Sequence, residues 1–163
     1  MTRYLLDTCI CVFLFRQKYN VAEKLSKLDP SQCYVSEVTI AELTYGAYKS
    51  NKIEENLRLI NEFTSVVNVV PFAESIDVFS REKVRLCAQG TPVDDFDLLI
   101  AAAAVKLGMV LITDNTRHFK NVQDLTFENW INRDERFNQL SPIYQQTAED
   151  IECYIKECLS QSK

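Results

Sequence analysis

At 163 residues, 47% of them hydrophobic and 25% charged, the chain suits one folded domain with a core of its own, and no apolar run reaches the roughly 20 residues that span a bilayer. Asp7 interrupts the N-terminal apolar segment that a secretory signal would need, so a cytoplasmic protein is expected. The net charge of −5 argues against a general nucleic-acid coat, while six cysteines without C-x-x-C spacing and a single histidine argue against a zinc site. Reduced, mostly buried thiols are expected, and any metal must be held by oxygen.

Taken in chain order, Tyr4-Leu5-Leu6 reads as a short strand, Asp7-Thr8 as a turn, and Cys9 to Phe15 as a buried helix. Val21, Ala22, Leu25 and Leu28 recur at helical spacing until Asp29-Pro30 stops them. Cys33-Tyr34-Val35 is a second strand, and Ser36 caps a helix through Val38, Ala41, Glu42 and Tyr45 to about Lys49. Ile53, Leu57, Ile60 and Phe63 mark another helix, after which Val66 to Val70 forms a β-branched strand ending at Pro71. A helix from about Glu74 to Gln89 is broken by Gly90-Thr91-Pro92.

Asp94 to Asp97 then open a helix that continues from Leu98 to Leu107 and closes at Gly108. Met109 to Ile112 is a buried strand leading into Thr113-Asp114-Asn115. Strands alternating with helices predict an α/β fold with a mostly parallel sheet covered on both faces. Beyond it, Ile151, Tyr154, Ile155 and Leu159 predict an amphipathic terminal helix, which divides the chain into a domain over 1–131 and a helical extension over 132–163. The acidic excess sits late. From Asp124 on there are eight acidic and four basic residues, a balance of −4, which leaves −1 for residues 1–123 and allows local basic patches there to meet phosphate.

Acidic residues recur where strands end or helices begin, and parallel sheets place their ligand sites at the carboxyl edge of the strands. Asp7 and Asp114 end strands, Asp97 lies in the first turn of its helix, and Glu42 approaches from another. Taken singly, each has a plain structural role: Asp7 and Asp94 as helix caps, Asp95 and Asp97 as partners of the helix dipole, Glu42 as a surface residue, Asp114-Asn115 as a turn. Taken together, three or four carboxylates in one cleft repel one another unless a hard divalent cation, magnesium or manganese, neutralises them. Such a cation activates water and polarises phosphate, which suits phosphodiester hydrolysis; one histidine gives little basis for a nucleophilic triad. Thr8, Arg117 and His118 are candidates for contacts to substrate phosphate.

Four ordered blocks carry a resemblance to a known family: Leu5-Leu6-Asp7-Thr8; Ser36 to Leu43 with Tyr45-Gly46-Ala47; Gly90-Thr91-Pro92-Val93 leading to Asp97-Leu98-Leu99-Ile100-Ala101-Ala102; and Leu111 to Phe119. Over residues 1 to about 131 the chain resembles the VapC-like branch of the PIN-domain family, and Leu125 to Trp130 looks like that family's last strand. The resemblance implies a three-layer α/β/α sandwich, usually dimeric, and a magnesium-dependent, site-specific endoribonuclease. Such an enzyme is the toxin of a toxin–antitoxin pair, acts on tRNA or rRNA, and is restrained by a VapB-like antitoxin. Asp7, Glu42 and Asp97 match the family's metal-site acids. Its fourth acidic position falls on Asn115 with Asp114 beside it, which leaves either residue to complete the site and orient water.

That departure, with the additional tail, also admits a catalytically weak PIN-like module that binds protein or RNA. Other phosphate enzymes fit less well. A dehalogenase-type phosphotransferase needs a second acid where Cys9 stands, a receiver domain needs an adjacent acidic pair near its first strand, and Gly46, Gly90 and Gly108 form no phosphate loop.

Overall fold

Two leucines in succession set the layering. Side chains alternate across a strand, so Leu5 and Leu6, both fully buried, enter opposite faces of the sheet, and Leu111 and Ile112 do the same. Leu6 and Ile112 join one apolar core with Ile10, Leu14, Leu43, Ile60 and Phe63; Leu5 and Leu111 join the other with Leu86, Leu98, Ile100 and Phe119. Two cores on one sheet make three layers, as expected. The structure is a computed structural model that describes residues 1–132. The predicted terminal helix and Cys153 and Cys158 lie outside the described residues.

The strands are β1 (Tyr4–Leu6), β2 (Cys33–Ser36), β3 (Asn68–Val70), β4 (Val110–Ile112) and β5 (Thr126–Glu128), in the order β3-β2-β1-β4-β5. All four pairings are parallel. The helices are α1 (Thr8–Phe15), α2 (Val21–Ser26), α3 (Glu37–Tyr48), α4 (Ile53–Thr64), α5 (Ile76–Ala88), α6 (Asp95–Leu107) and α7 (Thr116–Phe119). The chain builds outward from β1 through β2 to β3, then crosses back to add β4 and β5 on the other side. The order therefore reverses between β1 and β4, and in sheets of this kind such a reversal opens a crevice at the carboxyl ends of the strands.

Each helix near that crevice has a local cause. Ser36 caps α3 by accepting from the Thr39 amide, and Asp94 caps α6 by accepting from the Phe96 amide at 3.0 Å. Leu98 through Ala104 are all buried, because α6 lies within the second core and packs along α5. Its small alanines let neighbours approach closely. Gly108 ends it at φ 60, the left-handed conformation that glycine adopts without a Cβ penalty.

Departures from expectation are local. Val66 and Val67 do not join β3; their amides bond back to the Phe63 carbonyl and finish α4, so the strand is only Asn68–Val70. The helix expected from Glu74 begins at Ile76, with Phe72–Glu74 closed into a separate 3₁₀ turn on Pro71. Of the described cysteines, Cys11 and Cys33 are buried, but Cys87 is exposed near the end of α5. No described helix is long and apolar enough to cross a membrane.

The short helix α7 carries two of the candidate residues and is anchored by Phe119, which is fully buried. Glu82, held on α5 in a two-point pair with Arg85, also accepts from the Gln123 amide and pins the segment that follows. Phe119→Ala is expected to cost about 3–5 kcal/mol in urea unfolding. A loss under about 1 kcal/mol would mean that α7 is not anchored through this ring.

Candidate active site

The sheet ladder delivers the first carboxylate. The Asp7 amide donates to the Ile112 carbonyl at 3.0 Å, one position past the strand pairing, so Asp7 and Thr113 emerge side by side at the crevice. Asp7 is only 3% exposed. Its Oδ2 accepts from Thr113 Oγ1 at 2.6 Å and from Cys9 Sγ at 3.2 Å, and its Oδ1 accepts from the Thr8 amide at 2.7 Å. Asp7 thus caps α1, and its carboxylate also feels the charge of Asp97. Burial pushes its pKa up most, hydrogen bonds from Thr113 and Cys9 oppose that, and the charge of Asp97 raises it further. The Cys9 thiol is pushed up to about 12, chiefly by burial and then by Asp7, so it remains a proton donor and no nucleophile.

Glu42 comes from the middle of α3, half-buried, with Oε2 accepting from Thr8 Oγ1 at 2.5 Å. Its pKa is also raised, first by burial and then by the charges of Asp7, Asp97 and Asp94. The acids feel one another across the crevice, although they lie 35 and 55 positions apart along the chain. Asp97 projects from the first turn of α6. Its Oδ2 lies 2.7 Å from His118 Nδ1 and 3.3 Å from Asn115 Nδ2. The same ring nitrogen is 2.7 Å from Asn115 Nδ2. Nδ1 can serve one neighbour at a time: as N–H it donates to Asp97, and as a lone pair it accepts from Asn115.

The fourth position is divided between two neighbours. Asn115, its amide held by Thr113 Oγ1 at 2.9 Å, faces Asp97; Asp114 turns the other way, with Oδ1 accepting from Asn129 Nδ2 at 3.2 Å. Thr8, expected at substrate, here has its hydroxyl on Glu42, while Arg117 is exposed on α7. Thr113 and Cys9 were missed. Thr113, fully buried, joins Asp7 to the Asn115 turn, and the signal for it was available: a hydroxyl ending the strand paired with the one that ends in Asp7.

Three carboxylates and an amide offer hard oxygen donors, and their mutual repulsion is what a divalent cation relieves, so the donor chemistry fits magnesium or manganese. As they lie, no three His, Cys, Asp or Glu side chains among the described residues stand close enough to cage an ion. Asp7, Glu42 and Asp97 instead satisfy themselves with Thr113, Thr8 and His118. Beside Glu42, a groove of about 200 Å³ runs between α1, α3 and α4, walled by Val12, Phe15, Leu43, Gly46, Ala47 and Ile60.

A parallel sheet whose acids gather at the strand-order reversal defines an α/β domain with an acidic cleft. The PIN domain family model matches residues 4–125, and the chain belongs to the PIN-domain family. It is 35% identical over 131 residues to the tRNA(fMet)-specific endonuclease VapC of Shigella flexneri, which covers 80% of this chain and 99% of that protein. It is 37% identical over 130 residues to ribonuclease VapC1 of Haemophilus influenzae strain R2866, covering 78% and 97%. The solved structure of DNA-bound VapBC from Salmonella typhimurium aligns with a TM-score of 0.74 at 30% identity, over 80% of this chain and 99% of that one.

The buried acids set a pH signature. Because the folded pKa of Asp7 lies above its unfolded value, the folded state binds more protons between the two, and stability falls as pH rises through that window. Glu42 adds in the same direction, whereas Glu82, lowered by its Arg85 hydrogen bonds, acts oppositely. In EDTA, Asp7→Asn is therefore expected to melt above the unaltered chain at pH 7, the gap opening as pH rises from about 4. Thermal melts that place the variant below its parent at pH 7 would refute this balance.

Proposed function

We propose that this chain is a metal-dependent endoribonuclease, the toxin of a toxin–antitoxin pair, which hydrolyses phosphodiester bonds at defined sites in tRNA or rRNA. The observation that carries the reading is the convergence of Asp7, Glu42 and Asp97 from β1, α3 and α6 on one crevice, each shifted or held by the others or by their shared neighbours. Relatives named as a VapC endonuclease and a VapC ribonuclease, matched over nearly their whole length, support it. The VapBC likeness supports a VapB-like antitoxin as partner, and a cytoplasmic homodimer is part of the same reading.

Asp7, Glu42 and Asp97 would hold magnesium, with manganese as a substitute. When bound, the cation would polarise the scissile phosphate, lower the pKa of a coordinated water and stabilise charge on the leaving oxygen. The rest of the work falls to the chain. Thr113 and Cys9 direct their protons at Asp7 Oδ2, which orients that carboxylate and favours its ionised form against the effect of burial. Thr8 fixes Glu42, while Asn115 and His118 fix Asp97 and are placed to hold a water or a phosphate oxygen beside it. Arg117, exposed on the same short helix, supplies a cation for the substrate backbone.

Purified chain with magnesium is expected to cut cellular RNA at a small set of sites, with cleavage falling about 100-fold or more in Asp7→Asn, Asp97→Asn or excess EDTA. Equal cleavage by all of these would eliminate the reading in favour of a binding module. Asn115→Ala is expected to lose about 10–100-fold and Asp114→Ala far less; the reverse order would assign the fourth position to Asp114.

A further inference from the structure

The outward face of α3 continues from the site and is not used by the chemistry above. Glu42, Tyr45 and Lys49 recur at three- and four-residue spacing and so share one helix face, with Lys49 about 10 Å along the axis from Glu42. Tyr45 is 66% exposed and Tyr48 beside it 62%, although large aromatic rings are usually largely buried. Lys49 Nζ sits 5.1 Å from the Tyr45 ring centroid. The ammonium thus lies over a ring that stays mostly exposed to solvent. Across the groove, Arg16 is exposed at the end of α1. Among the described residues neither Arg16 nor Lys49 has an acidic partner within ion-pair distance, while most of the chain's helix-surface lysines and arginines that do pair are matched within their own helix.

An exposed ring with a cation on one face, followed by unpaired positive charge and adjoining a candidate catalytic carboxylate, is the equipment that binds single-stranded nucleic acid. Bases stack on aromatic faces whatever their identity, and nearby cations take the phosphates. We propose that Tyr45 and Lys49 form a stacking platform for an unpaired RNA base next to the scissile phosphate, with Lys49 and Arg16 on the flanking phosphates. The proposal rests on the nuclease reading and deepens it by naming the side chains that would position the base beside the cut. Tyr45 is a positioning residue and carries no proton in the reaction.

The test measures binding and cleavage separately, using the full chain and a single-stranded RNA oligonucleotide with 2-aminopurine beside the site mapped in cellular RNA. Stacking quenches that base, so the unaltered chain is expected to quench it on binding. Tyr45→Ala is expected to weaken binding by about 10-fold or more and abolish quenching, while Tyr45→Phe, which keeps the ring, stays within about 2-fold. Lys49→Ala is expected to flatten the slope of log affinity against log salt by about 0.7. Val84→Ala, at an exposed apolar position on α5, is the control and leaves all three unchanged.

Unaltered affinity in Tyr45→Ala, or absence of quenching in the unaltered chain, overturns the platform; cleavage that persists in that case leaves the nuclease reading intact. A chain that neither binds nor cuts RNA removes both. If Tyr45→Ala changes the sedimenting mass or releases a protein partner while RNA affinity holds, the face is a protein interface and the proposal fails.

Discussion

A carboxylate that is 3% exposed is costly to fold around, and this molecule is organised so that Asp7 is nevertheless satisfied. The arrangement depends on the pairing of β1 with β4: the ladder continues past Leu6 and Ile112, sets Asp7 beside Thr113, and gives the acid a hydroxyl donor from the adjacent strand. Thr113 then accepts from the Asn115 amide and aims that side chain at Asp97. One buried hydroxyl thereby ties two acids that come from opposite ends of the domain. Burial is the main influence on Asp7, and the charge of Asp97 adds to it in the same direction.

Much of this was legible because the relevant signals are local. Continuous apolar runs at Tyr4–Leu6 and Met109–Ile112 announce strands covered on both faces, and the caps at Ser36, Asp94 and Gly108 mark helix ends that the structure reproduces. Asp7 at a strand end and Asp97 in the first turn of its helix were legible from position, whereas Glu42, in the middle of α3, was singled out by the family resemblance. What was not legible depends on side-chain direction. Position alone gave no means of choosing between Asp114 and Asn115, since adjacent residues in a turn point apart according to what holds their amides, here Thr113 Oγ1 and Cys9 Sγ. Thr8 sits beside the catalytic candidates in sequence, yet its hydroxyl is taken by Glu42. Val66 and Val67 carry strand propensity, but the preceding helix claimed their amides.

The site is also held from behind. Phe119 sinks α7 into the second core, and the Glu82–Arg85 pair on α5 reaches the Gln123 amide and the Asn121 carbonyl, so the segment bearing Asn115, Arg117 and His118 is clamped on both sides. A short helix of four residues has little stability of its own; its position is set by these tertiary contacts. Positioning by packing, more than by propensity, explains why α7 left no periodic trace in the sequence.

The bond between Thr113 and Asp7 joins residues 106 positions apart, and β1 has β4 as a neighbour only after α1 to α6 have been laid down. Closing so long a loop is entropically costly until the intervening helices have packed. Synthesis proceeds from the N-terminus, so a growing chain carries Asp7 and Glu42 well before it carries the strand that completes their surroundings. The surroundings of Asp7 are consequently incomplete in any growing chain that has not yet reached β4 and Thr113. A protein of the kind proposed here would therefore leave the ribosome that makes it untouched until its own fold is nearly finished.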